Sequence, residues 1–341
     1  MAGMKLAVQR LALTLVMTLL GFAACEWAAR HSRFFDQPAH ILAWSNGPGV
    51  FYTNRPHYSE GLYTINGYGL RGPAVDPASV QDKTVVLALG DSTTFGLNVP
   101  VELAYPHQLE AALNRESPRY AVINAGVPGY NLWDYAATLK RLEPMYHPRV
   151  VTVGVYMNDH VPWTLKNKLR FLLENHSVFL FNLFRLRDKL KLYREAGVNW
   201  EKKLTATIDR AGTKNPQERA AIPAYLSDLN DTAKWRRACD VLGEMKAYCD
   251  ARGIRLVVAV LPIQFQIRPN YANPEPQRTI EAYLSDRKIP FCDMRAIFAA
   301  HDARGENCYP SVSDLAHFDA RGHAWVAAAL APLVKAAATR R

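Results

Sequence analysis

Cysteine is scarce in this chain, and its spacing excludes a zinc site. The 341 residues include five cysteines, at positions 25, 239, 249, 292 and 308, and their spacings fit no zinc-binding pattern. Cys239 and Cys249 fall on one predicted helix, where about 15 Å separates them, too far for a disulfide. Cys292 and Cys308 leave two alternatives, a disulfide formed in an oxidising compartment or a pair of buried free thiols.

The sequence also lacks internal repeats, low-complexity tracts and a concentrated run of basic residues. Its formal net charge is +10, from 41 Lys and Arg against 31 Asp and Glu, but the basic residues are scattered. This distribution argues against nucleic acid as a partner and favours attraction to an anionic membrane surface. With 49% apolar residues, the chain can bury a sizeable core.

Only one stretch is apolar enough to suggest a membrane helix. Lys5 and Arg10 precede the run LALTLVMTLLGFAAC, which ends before Glu26. A spanning helix needs about 20 apolar residues, and the run approaches that length by continuing through EWAA. We predict an uncleaved signal anchor over residues 1–33, single-pass in the cytoplasmic membrane, with the remaining chain on the periplasmic, extracytoplasmic side. Cleavage to a secreted protein, or to a lipoprotein at Cys25, is the alternative.

Residues 34–83 are predicted to form a lead-in hairpin or subdomain. Its segment LYTINGYGLRGP has turn signals at Asn66-Gly67 and at Gly69. A domain over residues 84–341 follows, with a helical insertion at about 160–231. The first half of this insertion is basic and amphipathic, and a helix packed on the domain is favoured there over a lid or a membrane-surface helix.

From Thr84 onward, apolar runs rich in Val and Ile alternate with helical stretches. Such runs are typical of strands covered on both faces, so the pattern predicts a three-layer α/β/α sandwich around a central parallel sheet of about five strands. The predicted strands are 84–90, 120–126, 149–157, 254–262 and 289–293, and the predicted helices are 102–115, 131–142, 232–252, 273–287 and 319–338.

Candidate site residues follow the first three predicted strands. Asp91 and Ser92 come after the first strand, Gly129 after the second, and Asn158 after the third. Because the carboxyl ends of parallel strands share one edge of the sheet, these residues are expected to lie close together. Asp91 is interpreted as shaping the turn that presents Ser92.

Acyl transfer from an ester needs a hydroxyl nucleophile, a base, an acid that orients the base, and donors for the oxyanion. Ser92 supplies the hydroxyl. The segment SDLAHFDARGH supplies His317 as the base and Asp314 as the orienting acid, three residues apart and able to meet in a helical turn. The predicted oxyanion donors are the backbone N–H groups of Ser92 and Gly129 and the side-chain amide of Asn158.

In four blocks the sequence resembles the SGNH or GDSL hydrolases. The blocks are Gly90-Asp91-Ser92-Thr93, Asn124 to Gly129 (NAGVPG), Asn158-Asp159, and Asp314 to His317 (DLAH). The resemblance covers about residues 84–335. It implies a flavodoxin-like sandwich and names Ser92, Gly129, Asn158 and His317 as catalytic, with Asp314 completing the triad. With the anchor and INGYGLRGP, the chain looks like membrane-anchored bacterial members.

Two positions depart from familiar hydrolase patterns. Tyr156 stands where the third block usually has glycine, which puts the pocket size or loop shape in question. Thr94 occupies the second glycine position of Gly-x-Ser-x-Gly, which argues against the α/β-hydrolase elbow.

The expected activity is that of a serine esterase acting on an acyl or acetyl ester of a polysaccharide or lipid. It requires no metal and no cofactor. An O-acyltransferase using the same site, and a non-catalytic glycan-binding or assembly protein with the same fold, are the alternatives.

Overall fold

The computed structural model describes residues 2–35, 41–45, 49–196, 231–268, 275–310 and 314–339. The strands are β1 Leu42–Trp44, β2 Tyr52–Asn54, β3 Ser59–Glu60, β4 Tyr63–Thr64, β5 Thr84–Leu89, β6 Tyr120–Asn124, β7 Val150–Val155, β8 Arg255–Val260 and β9 Phe291–Asp293. The α-helices are α1 Ala2–His31, α2 Ser92–Phe95, α3 Tyr105–Leu113, α4 Leu132–Tyr146, α5 Leu165–His176, α6 Val178–Ala196, α7 Thr232–Asp250, α8 Glu275–Asp286, α9 Met294–Asp302 and α10 Ala320–Thr339.

The five predicted apolar runs pair as one parallel sheet. Its strand order is β6-β5-β7-β8-β9, and every neighbouring pair is parallel. This is the flavodoxin-like order: the second strand of the sheet is added on one side of the first strand, and the remaining strands are added on the other side. All six residues of β7 are buried, as expected for a strand covered on both faces. The predicted sheet is confirmed.

Helices cover both faces of this sheet. Right-handed crossovers place α3, between β5 and β6, on the face opposite to α4, α7 and α8. The packing agrees, because α3 contacts α10, whereas α7 contacts both α4 and α8. The sandwich therefore has the three predicted layers.

Helix boundaries differ from the prediction where local chemistry intervenes. A capping box between Asn131 and Asp134 begins α4, which continues past Pro144 to Tyr146 rather than ending at residue 142. The predicted helix 102–115 begins only at Tyr105, because the residues before it form a 3₁₀ turn. The short helices α2 and α9 were not predicted.

The chain divides into two units. One comprises residues 1–40 and 163–200, and the other comprises residues 41–162 and 201–341. The first contains α1, α5 and α6, and α1 provides a helix, Met4–His31, that is long and apolar enough to cross a membrane. The domain boundaries after residues 33 and 83 stay predictions, and residues 197–230 of the insertion lie outside the described chain.

The lead-in segment reverses direction three times before the sheet begins, and antiparallel pairing first joins β1 to β2. Antiparallel pairing joins β3 to β4, upstream of the predicted turn at Asn66. That turn is present and is closed by the Asn66 N–H donating to Leu70 O at 2.9 Å, with a single bridge between Ile65 and Arg71. Gly69 has φ +74°, a conformation that favours glycine.

All five cysteines are free thiols. The disulfide alternative for Cys292 and Cys308 is therefore not the one adopted. Burial raises the pKa of both thiols, that of Cys292 to about 12, which keeps them protonated and unreactive at neutral pH.

Candidate active site

The turn after β5 presents Ser92 at the edge of the sheet. Ser92 is the first residue of α2 and is half-buried, while the preceding Asp91 is buried and caps the helix. The Asp91 carboxylate accepts hydrogen bonds from the Thr93 N–H at 2.8 Å and the Thr93 hydroxyl at 2.7 Å. Burial raises the pKa of Asp91, although both bonds from Thr93 oppose the rise. These contacts fit the interpretation that Asp91 shapes the turn.

A hydrogen-bonded chain links Ser92 to the start of α10. His317 Nε2 lies 2.8 Å from Ser92 Oγ, and His317 Nδ1 lies 2.9 Å from both carboxylate oxygens of Asp314. Asp319 caps α10 by accepting from the N–H of Arg321 at 2.9 Å, which fixes the helix start just after His317. The structure thus brings together the three residues predicted as nucleophile, base and orienting acid.

Asp314 is held as a carboxylate. Burial acts to raise its pKa, but the side-chain hydrogen bond and charge of His317, with the N–H groups of His317 and Ala316, outweigh this and lower the pKa of Asp314. An ionised Asp314 accepts a hydrogen bond from the N–H at Nδ1 of His317, which leaves Nε2 with its lone pair directed at the Ser92 hydroxyl. This is the arrangement that proton removal from Ser92 requires.

Gly129 and Asn158 lie in the loops on either side of Ser92. Because β5 pairs with β6 on one edge and β7 on the other, the loop after β6 carries Gly129 and the loop after β7 carries Asn158 toward the same rim. Gly129 has φ +79°, which favours glycine. The Asn158 side chain is exposed. Whether these two groups serve as oxyanion donors stays a prediction.

Close backbone packing fixes the loop after β6 against α2. A Cβ on Gly126 would lie 2.3 Å from the backbone nitrogen of Phe95, so only glycine fits. The Val127 N–H donates to Gly90 O at 3.1 Å, and the Asn124 amide donates to Phe95 O at 3.4 Å. The NAGVPG block is thus explained in part by packing.

The second residue of the Asn158-Asp159 block organises its loop. The buried Asp159 carboxylate accepts from the Tyr156 N–H at 2.8 Å and from the Tyr135 hydroxyl at 2.9 Å. Burial raises the pKa of Asp159 well above its usual range. Tyr156, which replaces the usual glycine, is itself buried, so its ring is accommodated in the interior.

Asp314 has a further support that was not predicted, the Asn98 side chain, which contacts the lead-in segment. Asn98 donates its amide to Asp314 Oδ2 at 3.2 Å, and its N–H donates to the Tyr63 hydroxyl at 3.2 Å. The buried guanidinium of Arg71 lies over the rings of Tyr63 and Phe95, at 5.0 and 4.8 Å, and donates to Val99 O at 3.0 Å. The only sequence signal was Arg71 in INGYGLRGP, an isolated charge whose partners no periodicity identifies.

Among the residues that the structure describes, no group of three or more His, Cys, Asp and Glu could hold a metal ion. The described site consists of the hydroxyl, imidazole and carboxylate, with backbone and side-chain amides nearby.

The sequence blocks that build this site correspond to a known family. A sequence model of the GDSL-like Lipase/Acylhydrolase family matches residues 88–325, more than half of the chain. This protein belongs to that family. The resemblance drawn from the four blocks is confirmed, and membership of an acylhydrolase family supports ester hydrolysis as the general activity.

Solved structures with a similar chain course are distant in sequence. TesA is 15% identical and covers 74% of this chain and 99% of its own, with a TM-score of 0.45. The psychrotrophic esterase EstA from Pseudoalteromonas sp. is 12% identical; it covers 74% of this chain and 98% of its own, with a TM-score of 0.43. A catalytic mutant of Axe2, an acetylxylan esterase from Geobacillus stearothermophilus, is 14% identical, covering 76% and 95%, with a TM-score of 0.41. Among curated proteins, no relative matches the chain.

Proposed function

We propose that the protein is a serine esterase that hydrolyses an acyl or acetyl ester carried by a glycan or a lipid. The observation that carries the proposal is the uninterrupted chain from Ser92 Oγ through His317 to Asp314, with 2.8 and 2.9 Å between successive polar atoms. Exposure of the His317 and Asp314 side chains is 18% and 30%, which leaves the site open to a substrate.

The acylation step follows from this geometry. Ser92 Oγ attacks the ester carbonyl carbon while His317 Nε2 takes the hydroxyl proton, and the Asp314 carboxylate stabilises the imidazolium that forms. The tetrahedral intermediate collapses as His317 returns the proton to the departing alcohol oxygen. Water then attacks the acyl-serine and loses a proton to His317. As the bond between the acyl carbon and Ser92 Oγ breaks, His317 gives that proton to Oγ, which releases the free acid and restores the serine hydroxyl.

Negative charge develops on the carbonyl oxygen in both steps. We propose that the N–H groups of Ser92 and Gly129 and the amide of Asn158 stabilise it. The strand order supports this proposal, because the loops of Gly129 and Asn158 follow the strands on either side of β5.

For the cellular setting we propose that α1 is an uncleaved anchor and that the second unit lies outside the cytoplasmic membrane. The intact mass of protein extracted from membranes tests the first part, since cleavage before Cys25 would remove 24 residues. Protease added to intact spheroplasts tests the second, because a cytoplasmic domain would survive.

The esterase proposal is tested with the full chain in detergent, a chromogenic acetyl ester and a serine-directed phosphonate. We expect hydrolysis, and one phosphonate per chain located on Ser92 by peptide mass spectrometry. Ser92→Ala should abolish both, whereas the matched control Ser285→Ala, an exposed serine on α8, should leave both unchanged. Labelling and hydrolysis that persist in Ser92→Ala would refute the mechanism. Acyl transfer to an added glycan in preference to water would identify the enzyme as an O-acyltransferase.

A further inference from the structure

The helices α5 and α6 are attached to the end of the apolar helix α1 by specific contacts. Glu26 of α1 accepts hydrogen bonds at the start of α6, from the Ser177 hydroxyl at 2.6 Å and from the N–H groups of Val178 at 3.1 Å and Phe179 at 3.0 Å. Arg30 donates to His176 O at the end of α5 at 3.0 Å. A carboxylate at a helix start and a guanidinium at a helix end both complement the helix dipoles.

This attachment point lies just beyond the apolar run of α1. Glu26 is the first charged residue after the apolar run that follows Arg10. If α1 spans the bilayer, the energetic cost of burying charge keeps Glu26 and Arg30 near the lipid headgroups. The α5–α6 corner is then fixed at the same depth.

The two helices have the composition of elements that lie at such a surface. Residues 165–196 contain eight Lys and Arg against three Asp and Glu. Each helix also exposes leucines at helical spacing, namely Leu165, Leu169 and Leu173 on α5 and Leu183, Leu186 and Leu190 on α6. Exposed apolar stripes flanked by basic residues are typical of amphipathic helices bound to anionic membranes.

An open groove in the same unit is lined by both basic side chains and exposed leucines. Its volume of about 740 Å³ lies in the usual range for ligand sites. Leu183, Leu186 and Leu190 belong to its lining. Five basic side chains also line it, those of Lys166, Arg170, Arg187, Lys191 and Arg194.

Among the described residues that line the groove, Asp188 is the acidic one, and it does not neutralise the groove. Asp188 accepts from Arg170 Nη2 at 2.5 Å and from Arg187 Nη2 at 3.0 Å, so two guanidinium groups share one carboxylate. Arg170 also donates to Glu174 at 2.6 Å, so the described side chains at the groove are five basic groups against two carboxylates, beside an apolar stripe.

We infer that the groove of the α5–α6 pair binds an anionic phospholipid, with the phosphodiester among the basic side chains and an acyl chain along the leucines. The site would tie the protein to anionic regions of the membrane in addition to α1. It is independent of the proposed ester chemistry, and no residue of the triad takes part.

The test uses the full chain in detergent micelles, titrated with dioleoylphosphatidylglycerol or dioleoylphosphatidylcholine and analysed by native mass spectrometry. We expect phosphatidylglycerol to be retained in preference to phosphatidylcholine. The variant Lys166→Gln/Lys191→Gln/Arg194→Gln should weaken this retention about 100-fold, from roughly fivefold per basic residue. Its hydrolysis of a soluble ester should be unchanged.

Two controls separate a built site from general charge attraction. Arg115→Gln/Arg236→Gln/Arg237→Gln removes the same charge from exposed positions of the other unit and should retain the lipid. The charge-conserving variant Lys166→Arg/Lys191→Arg/Arg194→Lys should also retain it, because it keeps the charge at all three positions. Equal binding of phosphatidylcholine, equal loss in the two glutamine variants, or full displacement by glycerol phosphate would each overturn the inference.

Discussion

Acidification is expected to destabilise the fold through His323, a histidine buried as the neutral form. Its side chain is 1% exposed in the first turn of α10, and its Nδ1 accepts from the Tyr105 N–H, at the start of α3, at 3.2 Å. Burial, with a smaller effect of the charge on His317, lowers the pKa of His323 to about 3. If Nδ1 were protonated, its N–H would face the N–H of Tyr105. Two donors would then meet at the contact between α3 and α10, and the hydrogen bond would be lost.

The sign and size of the effect follow from proton linkage. Between the ordinary histidine pKa of 6.5 and the value of about 3 in the folded state, the unfolded chain binds a proton that the folded chain does not. The free energy of unfolding is therefore fully retained above pH 6.5 and falls by about 1.4 kcal/mol per pH unit below it, to a loss of about 5 kcal/mol near pH 3. His107, whose pKa burial lowers to about 4, adds to the same trend.

His323→Asn isolates this contribution. The Asn side-chain oxygen can still accept from the Tyr105 N–H but does not titrate, while the lost ring volume costs roughly 2 kcal/mol at pH 7. Because asparagine at position 323 takes up no proton, the variant does not lose this part of its free energy of unfolding in acid. Its stability should therefore exceed that of the native chain below roughly pH 5.

The measurement is urea unfolding of the full chain in detergent at pH 7, 6, 5 and 4, followed by tryptophan fluorescence. The control His147→Asn replaces an exposed histidine at φ +43°, which asparagine tolerates, and should reproduce the native pH slope. Parallel curves for His323→Asn and the native chain would refute the reasoning.

Three further substitutions test the site and its support. Asn158→Ala should lower kcat about 100- to 1000-fold if the amide is an oxyanion donor, and an unchanged rate would remove it from the site. Glycine tolerates the φ of +69° at position 98, so Asn98→Gly deletes the hydrogen bond to Asp314 without straining the backbone. We expect kcat to fall roughly tenfold with KM unchanged. A change confined to KM would contradict this positioning role. Gly126→Ala forces a Cβ to 2.3 Å from Phe95 N and should lower Tm by roughly 10 °C in a thermal melt. Its control Gly61→Asn, in open space, should shift Tm by only a few degrees.

The sheet was predictable because each strand carries its own signal. A run such as Val150–Val155 is buried on both faces, and that burial is visible in the sequence as an unbroken apolar stretch. The candidate triad was predictable for a different reason, since acyl transfer needs few residue types and Ser92, Asp314 and His317 stand next to predicted element ends.

The support around Asp314 was not predictable because it depends on loop conformation and contacts between distant segments. Asn98 reaches the carboxylate from a loop in which its own φ is +69°, and Tyr63 meets it from a segment 35 residues earlier. Neither periodicity nor motif spacing records such contacts. The same holds for His323, since the sequence places it only within the predicted helix 319–338.

The separation of Ser92 from His317 along the chain has a consequence for biosynthesis. The two residues are 225 positions apart, and ribosomes add about 5–20 residues per second, so Ser92 is made roughly 10–45 s before His317. During that interval α1 has already been synthesised and the hydroxyl has no proton acceptor. In the proposed mechanism, the nascent chain therefore cannot hydrolyse an ester until α10, which begins just after His317, has docked against α3.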